Sequence, residues 1–128
     1  MEHEWRQSVR RADLEGMSRL LVEGQNIDAR DEYGQTALMI AAHEGRAEVV
    51  AFLVEQGALL DHTAKYGLSA LMLAVMSGHI RVVQILVNAG ADMTLRGRGA
   101  PGFAGKMALD LAVAQGRRDI ADVLADLP

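Results

Sequence analysis

The chain contains no cysteine, which excludes disulfide bonds, thiolate metal ligands and a cysteine nucleophile. Aromatic residues make up only 4% of it, so Ala, Leu, Val and Met supply most of the apolar volume, a mixture that favours helices over strands. No apolar run approaches the ~20 residues that a membrane-spanning helix needs. Residues 1–11 are charged and lack the apolar stretch of a secretory signal. We therefore expect a cytoplasmic protein that does not enter a membrane.

The chain also lacks a large excess of one sign of charge. Seventeen acidic and thirteen basic residues give a formal net charge of −4. A nucleic-acid-binding domain usually has a clear basic excess, so this balance argues against nucleic acid as the main partner. The 128 residues, half of them hydrophobic, predict a single domain with a useful core.

The chain repeats itself with a period of 33 residues. Glycines at 34, 45 and 57 recur at 67, 78 and 90, and segments 33–61 and 66–94 share thirteen of twenty-nine residues. The pattern continues in the C-terminal part at a spacing of 38, which predicts a five-residue insertion near 98–103. A less similar copy of the pattern lies before residue 31. We predict four units at about 1–30, 31–63, 64–96 and 97–128, with the first and last acting as caps.

Each unit is expected to form a helix, a turn, a second helix and a loop. Thr36 and Ser69 are predicted N-caps of the first helices, which should end at Gly45 and Gly78. The spacing of apolar residues predicts a second helix over about 47–55 in the second unit. Since one such pair cannot bury its apolar side alone, neighbouring units must stack.

The end units have the patterns of caps. Trp5 is predicted to cover the N-terminal end of the core. At the C-terminal end, apolar side chains share one side of a predicted helix and acidic ones the other, as a terminal repeat requires. The apolar set is Ile120, Val123, Leu124 and Leu127, and the acidic set is Asp119, Asp122 and Asp126.

Segments 34–58 and 67–92 resemble ankyrin repeats, and the resemblance extends over essentially the whole chain. It implies an all-α solenoid of helix-turn-helix units with short hairpin-like loops. It also implies a non-enzymatic module without a cofactor that binds another protein. The family's Thr-Pro-Leu-His pattern is altered, since Met39 and Met72 stand where the histidine is usual. In the family, that histidine usually joins neighbouring turns by hydrogen bonds. Because methionine replaces it here, we expect apolar packing at these positions instead.

The inserted segment has two features of its own. Residues 97–102 form a G-x-G-x-x-G sequence, but a dinucleotide site needs a strand before it and a helix opened by it. We interpret the segment as a flexible loop, with small-ligand or nucleotide binding through 97–106 as an alternative. Residues 93–109 contain Arg96, Arg98, Lys106 and Phe103 but no acid. They form either a solvated, mobile loop or a basic finger for an acidic or phosphorylated partner; nucleic acid is a third reading.

No catalytic or metal-binding residue is expected, because the four histidines lack ligand spacing and no carboxylate pair has a distinctive context. In proteins with this resemblance, partners bind hairpin tips and the exposed side of the first helices. Both tyrosines lie at equivalent tip positions, and tyrosine is frequent at binding hot spots. We predict a monomer, with self-association as an alternative. The candidate partner-binding residues are Arg30, Glu32, Tyr33, Gln35, His43, Glu44, Lys65, Tyr66, Leu68, Met76, Arg96, Arg98, Phe103 and Lys106.

Overall fold

The computed structural model describes residues 1–125, and within them it contains helices and no β-strand. The helices are α1 (His3–Arg10), α2 (Leu14–Val22), α3 (Ala37–Glu44), α4 (Ala47–Glu55), α5 (Ala70–Ser77), α6 (Ile80–Asn88), α7 (Ala108–Ala114) and α8 (Arg118–Ala125). The predicted all-α fold is confirmed. The unit boundaries stay a prediction, because a repeat can be divided at any equivalent position.

The first helices begin and end where the sequence places them. The hydroxyls of Thr36 and Ser69 each accept a hydrogen bond of 3.3 Å from the backbone N–H three residues later. Gly45 and Gly78 end α3 and α5 with φ of 75° and 78°, a left-handed conformation that favours glycine. At the start of α7, the side chain of Met107 has no oxygen that could act like those of Thr36 and Ser69. Instead, the Asp110 carboxylate accepts a hydrogen bond from the Met107 N–H at 2.9 Å.

The helix pairs stack into one layered array with a continuous core. The first helices of successive pairs pack on each other, α1 on α3, α3 on α5 and α5 on α7. The second helices do likewise, α4 on α6 and α6 on α8. Leu53 and Leu86 are fully buried at equivalent positions of the core. Trp5 is fully buried at the N-terminal end, as predicted, and its indole N–H has no hydrogen-bond partner. It therefore stabilises the end of the stack by packing.

Polar contacts between neighbouring units repeat with the sequence. The Asp28 carboxylate accepts a hydrogen bond from the Leu59 N–H at 3.0 Å, and Asp61 accepts one from the Asp92 N–H, 33 residues later, at 2.8 Å. His79 Nε2 lies 3.0 Å from the His43 carbonyl, which can only accept, so this nitrogen donates. These contacts join the units, while Met39 and Met72 are buried and contribute packing.

The C-terminal unit is only partly a polar cap. Ile120 and Leu124 are buried and Asp119 and Asp122 are exposed, as predicted, whereas Leu127 and Asp126 lie outside the described residues. Val113 is 64% exposed, although its equivalent in the preceding unit, Val75, is fully buried. In α7, the first helix of the last pair, one apolar side chain is therefore exposed at a position that is buried in α5. Within residues 1–125, no helix has the length and apolar character needed to cross a membrane.

Candidate functional site

Three hairpin tips project from the stack, each closed by an equivalent backbone hydrogen bond. The first residue of each tip donates its N–H to the carbonyl of the last, at 2.9 Å for residues 31–35, 3.0 Å for 64–68 and 2.9 Å for 97–106. The first two tips are five residues long and the third is ten. The extra residues therefore lie inside the third hairpin, with its closing bond intact.

The third tip is closed by hydrogen bonds within the segment, although most of its residues are exposed to solvent, and its interpretation as a flexible loop stays a prediction. The Gly105 N–H donates to the Gly97 carbonyl at 2.9 Å, and the Ala104 N–H donates to the Ala100 carbonyl at the same distance. The Arg96 guanidinium donates to the Gly105 carbonyl at 2.6 Å. The extra length allows this internal hydrogen bonding, which a shorter turn could not accommodate.

The third tip also folds back onto the second. The Arg98 N–H donates to the Tyr66 carbonyl at 2.8 Å, and the rings of Tyr66 and Phe103 lie 5.5 Å apart at 42°. Tyr66 has a φ of 64°, a left-handed conformation that strains a residue with a side chain. The hydrogen bond and the ring contact hold this strained residue in place. Gly99 lies against the same ring, where a Cβ would come within 3.3 Å of Tyr66 Cδ1.

We expect Phe103→Ala to lower the free energy of unfolding by about 1–2 kcal/mol, because it removes a half-buried ring and its contact with Tyr66. Amide exchange at Arg98 should accelerate as the tip loses its attachment. Chemical denaturation and NMR exchange measure both effects. Tyr33→Ala is the control, because Tyr33 is 71% exposed and should change stability by less than about 0.5 kcal/mol. An unchanged Arg98 exchange rate would show that the ring contact does not hold the tip.

A cleft of about 250 Å³ lies between the first and second tips. Its lining is mostly apolar and consists of Tyr33, Gln35, Ala64, Lys65, Tyr66, Leu68 and Leu73. Five of these residues were predicted from the sequence. Ala64 and Leu73 were not, although Leu73 repeats the apolar Ile40 one period earlier, a signal that could have identified it. The volume lies below the roughly 300–1,000 Å³ of typical small-molecule sites.

The predicted side chains at the cleft differ in how far solvent reaches them. Tyr33, at the edge of the cleft, is largely exposed, whereas Tyr66 is half-buried against Phe103. The ammonium of Lys65 lies 5.0 Å from the centre of the Tyr66 ring. Leu68, which is among the residues predicted to bind a partner, is only 7% exposed. It packs in the core beneath the tip, and only its margin lines the cleft.

A second group of predicted residues lies at the other end of the first helices. His43 and Glu44 close α3 and Met76 lies near the end of α5, so a helix of eight residues, roughly 12 Å, separates them from the tips. The Glu44 carboxylate pairs with Arg46 at 3.0 Å, and His43 Nδ1 lies 3.2 Å from the Ser77 hydroxyl. The predicted residues therefore form two groups, one at each end of the first helices.

Hydrogen bonds and one ion pair organise the first tip. The Asp31 carboxylate accepts from the N–H groups of Tyr33 and Gln35, both at 2.9 Å. Glu32 pairs with Arg6 at 2.7 Å. The pKa of the Glu32 carboxyl lies below its ordinary value because its own backbone N–H and then the Arg6 guanidinium donate to it.

Arg30 joins the first tip to the second. Its guanidinium donates to the carbonyls of Gly34, at 2.8 Å, and Thr63, at 3.0 Å. It also lies 2.7 Å from His62 Nδ1. Arg30 was predicted to contact a partner, and the structure gives it this link between the tips.

The structure does not provide the context that nucleotide binding by the glycine-rich segment requires. No strand precedes Gly97, and α7 begins only at Ala108, in the part of the chain that the structure describes. Six N–H groups of residues 97–106 donate to carbonyls of the protein and are not available to a phosphate. Across residues 1–125, no cluster of three or more His, Cys, Asp or Glu side chains could hold a metal ion.

The comparison with protein families agrees with the repeat architecture. A model described as ankyrin repeats, in three copies, matches residues 6–97, which is most of the chain. No curated protein matches the chain in a sequence search. The matched span begins within α1, covers α2 to α6 and ends at the start of the third tip. Together with the stacked helix pairs and the period of 33, this match establishes that the chain belongs to the ankyrin-repeat family.

Proposed function

We propose that the protein is a non-enzymatic interaction module whose partner protein binds along the hairpin tips and the adjoining inner face of the first helices. Ankyrin repeats are generally protein–protein interaction modules. The observation that carries the proposal is the apolar cleft between two tips, with Tyr33 71% exposed at its edge. A large exposed aromatic beside a preformed apolar cleft is typical of an anchor at a protein interface.

The hydrogen bonding of the tips supports the same proposal. The closing hydrogen bonds of the tips, the Arg30 link between the first two and the contact of the third with Tyr66 order the backbone that carries these side chains. A surface that is already ordered loses little conformational entropy on binding, which leaves more of the contact energy for affinity.

Tyr33→Ala should reduce partner affinity at least tenfold, or about 1.4 kcal/mol, because it removes the exposed ring beside the cleft. The measurement is quantitative capture, by the immobilised full chain, of proteins from the organism that encodes it, followed by titration of the captured partner. Val22→Ala is the matched control, because Val22 is an 87% exposed apolar residue on α2, away from the tips.

Two results would contradict this proposal. One is a partner that binds Tyr33→Ala as well as it binds the unchanged protein but loses affinity for Val22→Ala. The other is a free chain that sediments as a dimer and becomes monomeric on Tyr33→Ala, which would assign the tips to self-association. We expect a monomeric chain whose affinity for the partner falls in Tyr33→Ala and is unchanged in Val22→Ala.

A further inference from the structure

Basic side chains gather at the second and third tips. Lys65 belongs to the second tip, while Arg98 and Lys106 belong to the third and Arg96 immediately precedes it. The fold-back of the third tip places Arg98 beside the second, since a Cβ on Gly67 would lie 3.3 Å from Arg98 Cγ. None of these four cations takes part in an ion pair within the described part of the chain.

Acidic side chains near the tips already have other partners. Asp31 accepts hydrogen bonds within its own turn, and Glu32 pairs with Arg6. Asp61 binds the Asp92 N–H, and Asp92 accepts hydrogen bonds from Thr94. Since the whole chain has a net charge of −4, a group of four cations without an ion pair in the described part is a local exception on an otherwise acid-rich protein.

The cleft beside these cations suits an apolar side chain. Leu68 and Leu73, which are 7% and 8% exposed, contribute its least accessible surface, and Ala64 and the two tyrosines line the rest. Lys65 lines the same cleft, so one positive charge lies at its margin. An occupant that satisfies both features has an apolar side chain flanked by negative charge.

We propose that the tips bind an acidic peptide segment, with one Leu, Met or Phe side chain in the Tyr33–Tyr66 cleft and flanking carboxylates on Lys65 and Arg98. The inference rests on the proposed function and specifies the chemistry of its partner. Arginine can form two parallel hydrogen bonds with a carboxylate, and Arg98 has no side-chain hydrogen bond that would compete, within residues 1–125. The fold-back places the Arg98 side chain against Gly67, which lies in the chain between two lining residues of the cleft, Tyr66 and Leu68.

The geometry favours a peptide over a single-stranded nucleic acid. Base recognition without sequence preference depends on free aromatic faces above a positive groove. Of the two tyrosines at the cleft, only Tyr33 has a largely exposed ring, because Phe103 contacts the Tyr66 ring and the Lys65 ammonium lies 5.0 Å from its centre, so successive bases have no second free ring to stack on. The deeper surface of the cleft is aliphatic, which suits a side chain such as leucine.

Selection from an unbiased library of displayed dodecapeptides on the full chain tests the inference. We expect enriched peptides to combine Asp or Glu residues with a Leu, Met or Phe, and to bind more weakly as salt increases. Arg98→Glu should weaken them at least tenfold and flatten the salt dependence. Exchanging the peptide's acids for lysine should restore binding to that variant. Arg81→Glu makes the same charge change at an exposed α6 position outside the tips and should leave affinity unchanged.

The outcomes separate the two proposals. Peptides that need Tyr33 but contain no acids, or that keep their affinity for Arg98→Glu, would overturn the acidic partner and leave the interaction surface standing. A fluorescent single-stranded oligonucleotide that binds through Arg98 more tightly than any selected peptide would overturn it as well. A selection that enriches no peptide on the folded chain would count against both proposals. Melting temperatures of Arg98→Glu and Arg81→Glu equal to that of the unchanged protein would show that both variants remain folded.

Discussion

Leu86→Ala should lower the free energy of unfolding by about 2–5 kcal/mol, one of the largest single-residue effects expected for this protein. Leu86 is fully buried on α6, which packs against α4 on one side and α8 on the other. Truncation removes apolar contacts and leaves a cavity in the core of the array. Because domains of this size are stable by only about 5–15 kcal/mol, the loss is a large part of the total.

Chemical denaturation followed by circular dichroism measures this loss. Leu59→Ala is the matched control, since it makes the same change at a side chain that is 56% exposed, and it should shift stability by less than about 0.5 kcal/mol. Similar losses for the two variants would mean that α6 does not join its neighbours through Leu86. A two-step transition in Leu86→Ala alone would show that the array separates into unequally stable parts at this layer.

The repeat architecture could be predicted from the sequence because it is locally encoded and then repeated. Thr36 and Ser69 mark helix starts and Gly45 and Gly78 mark helix ends through their own backbone preferences. Each signal occurs at an equivalent place in the next unit, so a weak local preference becomes a firm assignment. The positions of the hairpin tips follow from the same period.

The contacts among the tips could not be predicted in this way. The pairing of Tyr66 with Phe103 joins an inserted segment to the preceding unit, and an insertion has no equivalent elsewhere in the repeat. The burial of Leu68 also depends on tertiary packing, because its equivalent in the preceding tip is the polar Gln35. The period of the repeat therefore predicts where the candidate surface lies. The cleft, and which of the candidate residues are exposed or buried, depend on tertiary packing.

Gly45→Ala should lower the free energy of unfolding by about 2–4 kcal/mol, more than an ordinary helix-end glycine would. Gly45 has a φ of 75°, which strains any residue with a Cβ. The added Cβ would also lie 2.5 Å from Nδ1 of the His79 ring, closer than real atoms approach. The ring must then move, and the 3.0 Å hydrogen bond from His79 Nε2 to the His43 carbonyl is lost. The substitution thus weakens the contact between two neighbouring units as well as one helix end.

Gly57→Ala separates these two causes. Gly57 has a similar φ of 88° but open space within 4 Å of a Cβ, so it should cost about 1 kcal/mol from backbone strain alone. In a His79→Ala background, the stability loss caused by Gly45→Ala should fall to about the same 1 kcal/mol, because the ring that the added Cβ would contact is absent. Chemical denaturation of the four variants gives the coupling between the two residues. If the Gly45 and Gly57 variants lose equal stability in the presence of His79, the ring moves aside freely and its hydrogen bond does not hold the units together.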